Sequence, residues 1–453
     1  VSPHRNLAQI FKAYDVRGVV PDDLDEDVCR RVGSAFAEWA KVPRIAVGYD
    51  CRLSSPSLAS AVREGAAARG VEVVDLGLAS TDLLYFASGW LDVPGVMLTA
   101  SHNPPQWNGL KFCLGGAKPV GETTGLTEIR MLAERDEYPR AVSVGQMVSR
   151  DLLDEYADHV LSFIDPSSVR PLTVVADTAN GMGGLVVPAV MERLPVTLVH
   201  LYAELDGTFP NHPADPIKPE NQRDLKRSVL ENRADIGLAF DGDADRMFLV
   251  DELAEGVSGS DVTALVAQGM LRRHPGEPIV YNVVCSWAVP EVIRENGGTP
   301  VRTRVGHSFI KQVMAETGAV FGGEHSGHYY FRDNYGADSG LIAATVVLGQ
   351  LSVAGVPMSD LLRPFRRYRA SGEINSDCAD QAGTIERIAR AFADGRQDRT
   401  DGLTVEFEDW WFNVRPSNTE PLLRLNVEAR TQGLLDEKIP SILALIRSEG
   451  GSS

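Results

Sequence analysis

Apolar and polar positions along this chain recur with two periods, one helical and one extended. Residues 26–40 space their apolar side chains three and four apart, which predicts an amphipathic helix, and IAVGYD at 45–50 reads as a strand entering a loop. SLASAVREGAAARG stops on the glycine at 70, as helices do, and VEVVDLG follows as a strand. PGVMLTASHNP, residues 94–104, is a strand that runs into a polar loop. The cycle restarts after a helix predicted over 145–164. LTVVADTANGMGG at 172–184 is a strand with a glycine-rich turn; a short helix, TLVHLYAEL and a helix over 219–233 follow. IGLAFDGDADR at 236–246 is then a strand leading into an acidic loop. A third cycle predicts helices over 260–273, 287–296 and 307–317 and a strand at 279–284, and ends in AVFGGEHSGH. Beyond it, a helix over 379–394, strands LTVEFE and LLRLNVEA, and a helix over 431–447 predict a smaller α+β unit.

Alternation of this kind predicts α/β layers with partly parallel sheets. The natural cuts divide the chain into 1–150, 151–253, 254–365 and 366–453, three α/β domains and a smaller C-terminal α+β domain. TASHNP, DGDADR and GEHSG each follow a strand in a different domain, where open α/β sheets place ligands. Their convergence predicts a central cleft able to enclose a ligand.

Composition narrows the class. At 453 residues, 43% hydrophobic and 23% charged, the chain is long enough for several cores. A formal charge of -18 argues against a nucleic-acid surface but not against a small phosphorylated ligand met by local cations. The five cysteines, at 29, 51, 113, 285 and 378, form no CxxC pair, which fits free thiols in the cytoplasm. No segment reaches the roughly 20 apolar residues that span a bilayer, so neither secretion nor membrane insertion is expected. Nothing indicates an obligatory protein partner.

Four loops carry candidate chemistry. In TASHNP, Ser101 is a hydroxyl that needs a base, a metal or a charged partner to act as a nucleophile. His102 is adjacent, but sequence neighbours need not point together, and no GxSxG elbow surrounds the serine. Lys111 can hold phosphate oxygens or support proton transfer. In DGDADR, Asp241, Asp243 and Asp245 alternate after an apolar strand, and an extended segment would set them on one side for a hard cation, preferably Mg²⁺. The same register offers Glu252 as the twelfth residue of a calcium loop, but Arg246 replaces the glycine that such a loop turns on. Arg246 would instead offer its donor fork to a phosphate.

In GGEHSGH, Glu324, Ser326 and His328 suit vicinal sugar hydroxyls; zinc held by Glu324, His325 and His328 is the competing reading. RPSNTEP gathers Arg415, Ser417, Asn418 and Thr419, with Arg424 following, a donor set for three phosphate oxygens. It would grip the phosphate that does not react, so that remote binding energy positions the distant hydroxyl.

Taken in order, YDVRG (14–18), TASHNP, DGDADR, GEHSGH and RPSNTEP resemble the α-D-phosphohexomutase family, in particular its bacterial phosphomannomutase/phosphoglucomutase branch. The resemblance implies four domains around a cleft, a phosphorylated Ser101, and Mg²⁺ bound by Asp241, Asp243, Asp245 and the seryl phosphate. Tyr14, Arg17 and Lys111 match active-site positions of the family, and His307 in VGHS matches a residue near the reacting sugar, a candidate for proton handling. GYDCRLSSP at 48–56 resembles another family segment, with Asp50 and Arg52 retained and Tyr49 replacing an arginine. Val284 stands where dual-specificity relatives carry lysine, while His325 fits the mannose/glucose branch. The implied reaction interconverts hexose 1-phosphate and hexose 6-phosphate, mannose phosphate first and glucose phosphate second, with hexose 1,6-bisphosphate as activator and intermediate. A phosphoglucosamine mutase, a phosphatase and a non-catalytic phosphosugar-binding protein are the rivals.

Overall fold

The computed structural model describes residues 7–135, 137, 141, 143–417 and 422–447. The chain divides into two compact units. One comprises the residues through Ser258 together with Ser326–Leu361; the other comprises Gly259–His325 and the chain from Leu362 onward.

In the first unit, Arg44–Tyr49 lies at the middle of the N-terminal sheet, parallel to Glu72–Leu78 and to Gly95–Leu98. Trp107–Leu114 then returns antiparallel beside Gly95–Leu98, and Val16–Val19 lies antiparallel to that return strand. The helix Glu26–Ala40 forms where its spacing predicts, with the Asp25 carboxylate accepting the Val28 N–H at 2.9 Å as its N-cap. Its Val28, Val32 and Phe36 are buried in one core with Ile45, Val47, Leu58, Val62 and Phe112. Each such side chain contributes about 1.5–3 kcal/mol of transfer free energy. The helix predicted over 145–164 is replaced in its first half by a strand, Met147–Ser149, parallel to Glu72–Leu78. The helix starts only at Leu153, whose N–H the Asp151 carboxylate accepts at 3.0 Å. An edge strand of three residues is too short to show its own period.

In a second sheet of this unit, Leu172–Asp177 is flanked in parallel by Val196–Leu201 and by the central strand Ile236–Phe240. Met247–Asp251 pairs antiparallel with Ile236–Phe240, with Phe240 opposite Met247, so residues 241–246 form the turn of a hairpin. Both polar loops of this unit therefore connect a strand with its antiparallel neighbour. Two buried helices, Thr81–Leu91 and Gly340–Ala354, carry too few polar residues to display helical periodicity.

In the second unit, Pro278–Asn282 is flanked in parallel by Thr299–Thr303 and Phe321–Gly323. Its C-terminal part is a five-stranded antiparallel sheet in the order Arg369–Asp377, Leu422–Ala429, Trp410–Pro416, Leu403–Glu406, Arg396–Asp398. Period-two alternation splits its faces. Leu423, Leu425, Val427, Phe412 and Val414 join a core with residues of the helices Gln381–Ala391 and Gln432–Arg447. Arg424, Asn426 and Glu428, with Asn413 and Arg415 opposite, line the other face. Among the described residues no helix is long and apolar enough to cross a membrane, and none of the five cysteines is joined in a disulfide.

Candidate active site

The serine loop is set by a buried guanidinium. Arg52 is fully buried and its Nη2 donates to the carbonyls of Ser101 and Asn103, both at 2.7 Å. Its Nη1 donates to the carbonyls of Pro104 at 2.8 Å and Trp107 at 3.0 Å. Asp50 accepts from Arg52 Nε at 3.1 Å and from the Ser55 hydroxyl, which supplies the counter-charge. Held this way, Ser101 adopts φ 50, a left-handed conformation that non-glycine residues rarely take. The Thr99 hydroxyl accepts the Ser101 N–H at 2.9 Å.

This loop meets the acidic hairpin turn. The Ser101 hydroxyl donates to Asp241 Oδ2 at 2.7 Å, and Arg246 Nη2 points at the same Oγ from 3.4 Å. A Cβ on Gly242 would lie 2.4 Å from the Ser101 carbonyl oxygen, so this approach requires glycine. Structure brings His102 Nδ1 to 3.2 Å from Ser101 Oγ, closer than adjacency in sequence implies. That nitrogen already accepts from Arg246 Nη2, and burial, Arg246 and Arg17 push the His102 pKa down to about 2. His102 is thus a neutral acceptor here, a weak base toward the serine. Arg17 Nη1 donates to Asn103 Oδ1 and its Nε to Asp15, which ties the YDVRG segment to the serine loop.

The three aspartates do converge, although not by extended alternation. The turn passes through Ala244 at φ 63, and oxygens of Asp241, Asp243 and Asp245 come within 4.8 Å of one another, all buried. Lys111 Nζ donates to Asp243 Oδ2 at 2.7 Å and Asp245 Oδ2 at 2.6 Å. Burial disfavours that ammonium, but the two aspartates hold its pKa well above the ordinary lysine value. Burial likewise works against Asp243, yet Lys111 and the Thr81 hydroxyl keep its carboxyl below the usual range. Asp241, facing Arg246 but also repelled by Asp245 and Asp243, is pushed by burial up to about 7.

The Oδ1 atoms of Asp243 and Asp245 are buried and accept no hydrogen bond among the described residues. Orphaned carboxylate oxygens converging in this way fit a hard divalent cation such as Mg²⁺. The calcium-loop reading fails on Glu252, whose carboxylate turns to the Ser359 N–H and hydroxyl.

Thr81, at the start of the helix Thr81–Leu91, braces the acidic turn. Its hydroxyl donates to Asp243 Oδ2 at 2.6 Å and its N–H to the Asp243 carbonyl at 3.0 Å. The next residue, Asp82, is fully buried and accepts from the hydroxyls of Ser80, Tyr156 and Ser339.

The remaining candidates are distributed between the two units. Tyr14 lies half-buried in the bend before Val16–Val19. His328 belongs to the first unit with Ser326; its Nδ1 lies 3.0 Å from Asp338 Oδ2, and Asp245, His328 and Asp338 form a second group able to hold a cation. Burial opposes charge on His328, but Asp338 raises its pKa. Glu324 and His325 belong to the second unit, where Glu324 Oε1 accepts from Asn282 Nδ2 at 3.2 Å and the Gly306 N–H at 3.1 Å. His325 Nδ1 faces the Ser260 hydroxyl at 3.2 Å. These distinct partners give no support to a zinc group made of Glu324, His325 and His328. His307 opens the helix His307–Thr317, directly after Gly306.

On the polar face of the C-terminal sheet, Arg415 and Arg424 stand opposite one another across paired strands. Glu373 accepts from both, at 2.9 Å from Arg415 Nη2 and 3.2 Å from Arg424 Nη1. Arg424 Nη2 lies 3.4 Å from the Ser417 hydroxyl. The Nε atoms of both arginines and Asn426 Nδ2 are buried donors with no acceptor among the described residues, a set that suits an anion. Asn418 and Thr419 lie outside the described residues.

Comparison with known proteins decides the family. Phosphoglucomutase/phosphomannomutase α/β/α domains I, II and III match residues 8–139, 154–256 and 258–368, and the C-terminal domain of that family matches 373–443. The chain belongs to the α-D-phosphohexomutase superfamily. Like other phosphohexomutases it has three related α/β domains and a smaller C-terminal α+β domain. It is 40% identical to the phosphomannomutase of Salmonella montevideo over 455 residues, covering 98% of this chain and 100% of that one. It is 39% identical to phosphohexose mutases of Xanthomonas campestris pv. campestris over 442 residues, 96% of this chain and 99% of theirs. Among solved structures, a phosphoglucomutase/phosphomannomutase family protein from Burkholderia thailandensis superposes with a TM-score of 0.89 at 32% identity, covering 98% of each chain.

Some groups that shape this phosphohexomutase site had no role assigned from sequence. Asp50 and Arg52 lay in a recognisable segment, but only the fold shows what the guanidinium holds. Thr81 and Glu373 carry no sequence signal, because each meets its partner through a long excursion of chain.

Proposed function

We propose that this phosphohexomutase interconverts hexose 1-phosphates and hexose 6-phosphates, mannose phosphate first and glucose phosphate second. The observation that carries the reading is the Ser101 hydroxyl, 2.7 Å from Asp241 within a buried, electron-rich group of three carboxylates. The likeness to the Salmonella phosphomannomutase favours mannose phosphate as substrate.

In this scheme phospho-Ser101 donates its phosphoryl group to O6 of a hexose 1-phosphate. The bond from phosphorus to Ser101 Oγ breaks, the bond to O6 forms, and the O6 proton passes by way of a nearby base to Ser101 Oγ, which regains its hydroxyl. The resulting hexose 1,6-bisphosphate turns over; the bond from phosphorus to O1 then breaks as a bond to Ser101 Oγ forms, the serine proton passes to O1, and hexose 6-phosphate is left. Asp241, Asp243 and Asp245 would hold Mg²⁺, which neutralises charge on the transferring phosphoryl group. Arg246, aimed at Ser101 Oγ, and Arg17, fastened to the same loop, are the proposed fixed cations at the reacting oxygen. Lys111 balances the carboxylates, and His307 is the candidate proton carrier, since guanidinium groups stay protonated in proteins. Glu324, Ser326, His328 and Tyr14 are proposed to contact the sugar. Arg415, Ser417, Asn418, Thr419 and Arg424 are proposed to hold the phosphate that is not reacting.

The test is turnover of mannose, glucose and glucosamine 1-phosphates under identical conditions, with isomerised sugar and free phosphate measured together. Isomerisation without phosphate release, greatest for mannose and lost in Ser101→Ala even with hexose bisphosphate present, is the expected result. Stoichiometric phosphate release, or full turnover by Ser101→Ala, refutes the scheme.

A further inference from the structure

We propose that Glu373 is an internal competitor for the phosphate clamp, a carboxylate that occupies the arginine pair and must be displaced each time a phosphorylated sugar docks. The inference rests on the reading that Arg415 and Arg424 hold the non-reacting phosphate.

A local irregularity of the strand Arg369–Asp377 places Glu373 there. Pairing with Leu422–Ala429 is regular at Ala370 opposite Glu428, then resumes only at Glu373 opposite Asn426. The two residues between form a bulge, with Gly372 at φ 68 and the Ser371 hydroxyl accepting the Val427 N–H at 3.0 Å. Bulges re-aim the side chains that follow them. Here the effect is to set Glu373 on the polar face beside Arg415 and Arg424.

Its two oxygens then take one guanidinium each, at 2.9 and 3.2 Å. A carboxylate and a phosphate present similar oxygens to a guanidinium fork, so the two compete for the same donors. Three further donors, Arg415 Nε, Arg424 Nε and Asn426 Nδ2, have no acceptor among the described residues, so within these Glu373 satisfies the clamp only in part. Its side chain is 30% exposed, against 11% for Arg415. Water can therefore solvate the displaced carboxylate while the guanidinium stays in place.

This arrangement suits the proposed reaction. A bisphosphate intermediate has to release one phosphate from the clamp and present the other, so a clamp that held too tightly would stall the cycle. A resident carboxylate lowers affinity and offers the arginines an alternative partner at release.

The experiment compares the full-length protein with Glu373→Gln and Arg415→Met, using calorimetric binding of mannose 6-phosphate and steady-state kinetics. Glutamine keeps the shape and one acceptor oxygen but loses the charge. Binding of mannose 6-phosphate by Glu373→Gln should tighten about 5- to 20-fold, with kcat falling as KM falls. A residue that merely orients the arginines would weaken binding when neutralised, and unchanged or weaker binding overturns the proposal. Arg415→Met separates the two readings. If it leaves binding intact, the clamp assignment itself fails; if it weakens binding while Glu373→Gln does not tighten it, only the competitor role fails.

Discussion

Arg52 holds Ser101 by its backbone: the guanidinium Nη2 lies 2.7 Å from the Ser101 carbonyl oxygen while that serine sits at φ 50. A strained conformation persists only where surrounding contacts over-determine it. Arg52, with four carbonyl acceptors in the serine loop, supplies that determination.

Arg52→Lys should therefore be costly despite keeping the charge. One ammonium cannot reach four carbonyls in the planar arrangement that a guanidinium serves. Stranding buried acceptors costs about 1–3 kcal/mol each, and a loosened nucleophile loses on the order of a hundredfold in rate. Denaturant midpoints should fall, and mass spectrometry should find Ser101 less phosphorylated than in the parent after incubation with hexose bisphosphate. Unchanged phosphorylation would contradict the positioning role.

Thr81 should tune the cation. Its hydroxyl orients Asp243 Oδ2 from 2.6 Å, and groups that orient metal ligands typically alter affinity by about 10- to 100-fold when lost. Thr81→Val should weaken Mn²⁺ binding by that order, read by electron paramagnetic resonance of the free ion, and Thr81→Ser should restore it. Equal affinity in the valine variant would show that Asp243 needs no such partner.

Asp82 should leave a signature in the pH dependence of stability. Burial pushes its pKa from 3.8 up to about 6, against the hydroxyls of Ser80, Tyr156 and Ser339, which favour the ion. A raised folded-state pKa means the folded chain keeps a proton that the unfolded chain has lost. The associated stability is fully present below pH 3.8 and is lost as pH rises through about 6. At about 1.4 kcal/mol per pH unit, the whole window is worth on the order of 3 kcal/mol. Asp82→Asn removes this proton, so the parent should lose stability relative to the variant between pH 4 and pH 6, roughly following that slope. Parallel melting-temperature profiles for the two proteins would refute the assignment.

Much of this was legible along the chain because it is encoded locally. The helix Glu26–Ala40 follows from apolar spacing, and the strand Leu422–Ala429 from strict alternation. Ser101 and the three aspartates stand out because their loops follow apolar strands in a recognisable order. The helix Gly340–Ala354, buried through Leu351, left no periodic trace, since apolar residues occur on every face of it. Met147–Ser149 was hidden for the opposite reason, a strand too brief to display a period.

Sequence alone singled out the candidate groups: a serine, a carboxylate trio and an arginine pair, each of a residue type that its proposed task requires. Tertiary structure decided what holds them in place. The contacts Arg52–Ser101, Thr81–Asp243 and Glu373–Arg415 join residues 49, 162 and 42 positions apart. Hydrogen bonds act over a few ångströms, and no local pattern reveals which distant side chain the folded backbone will bring within that range.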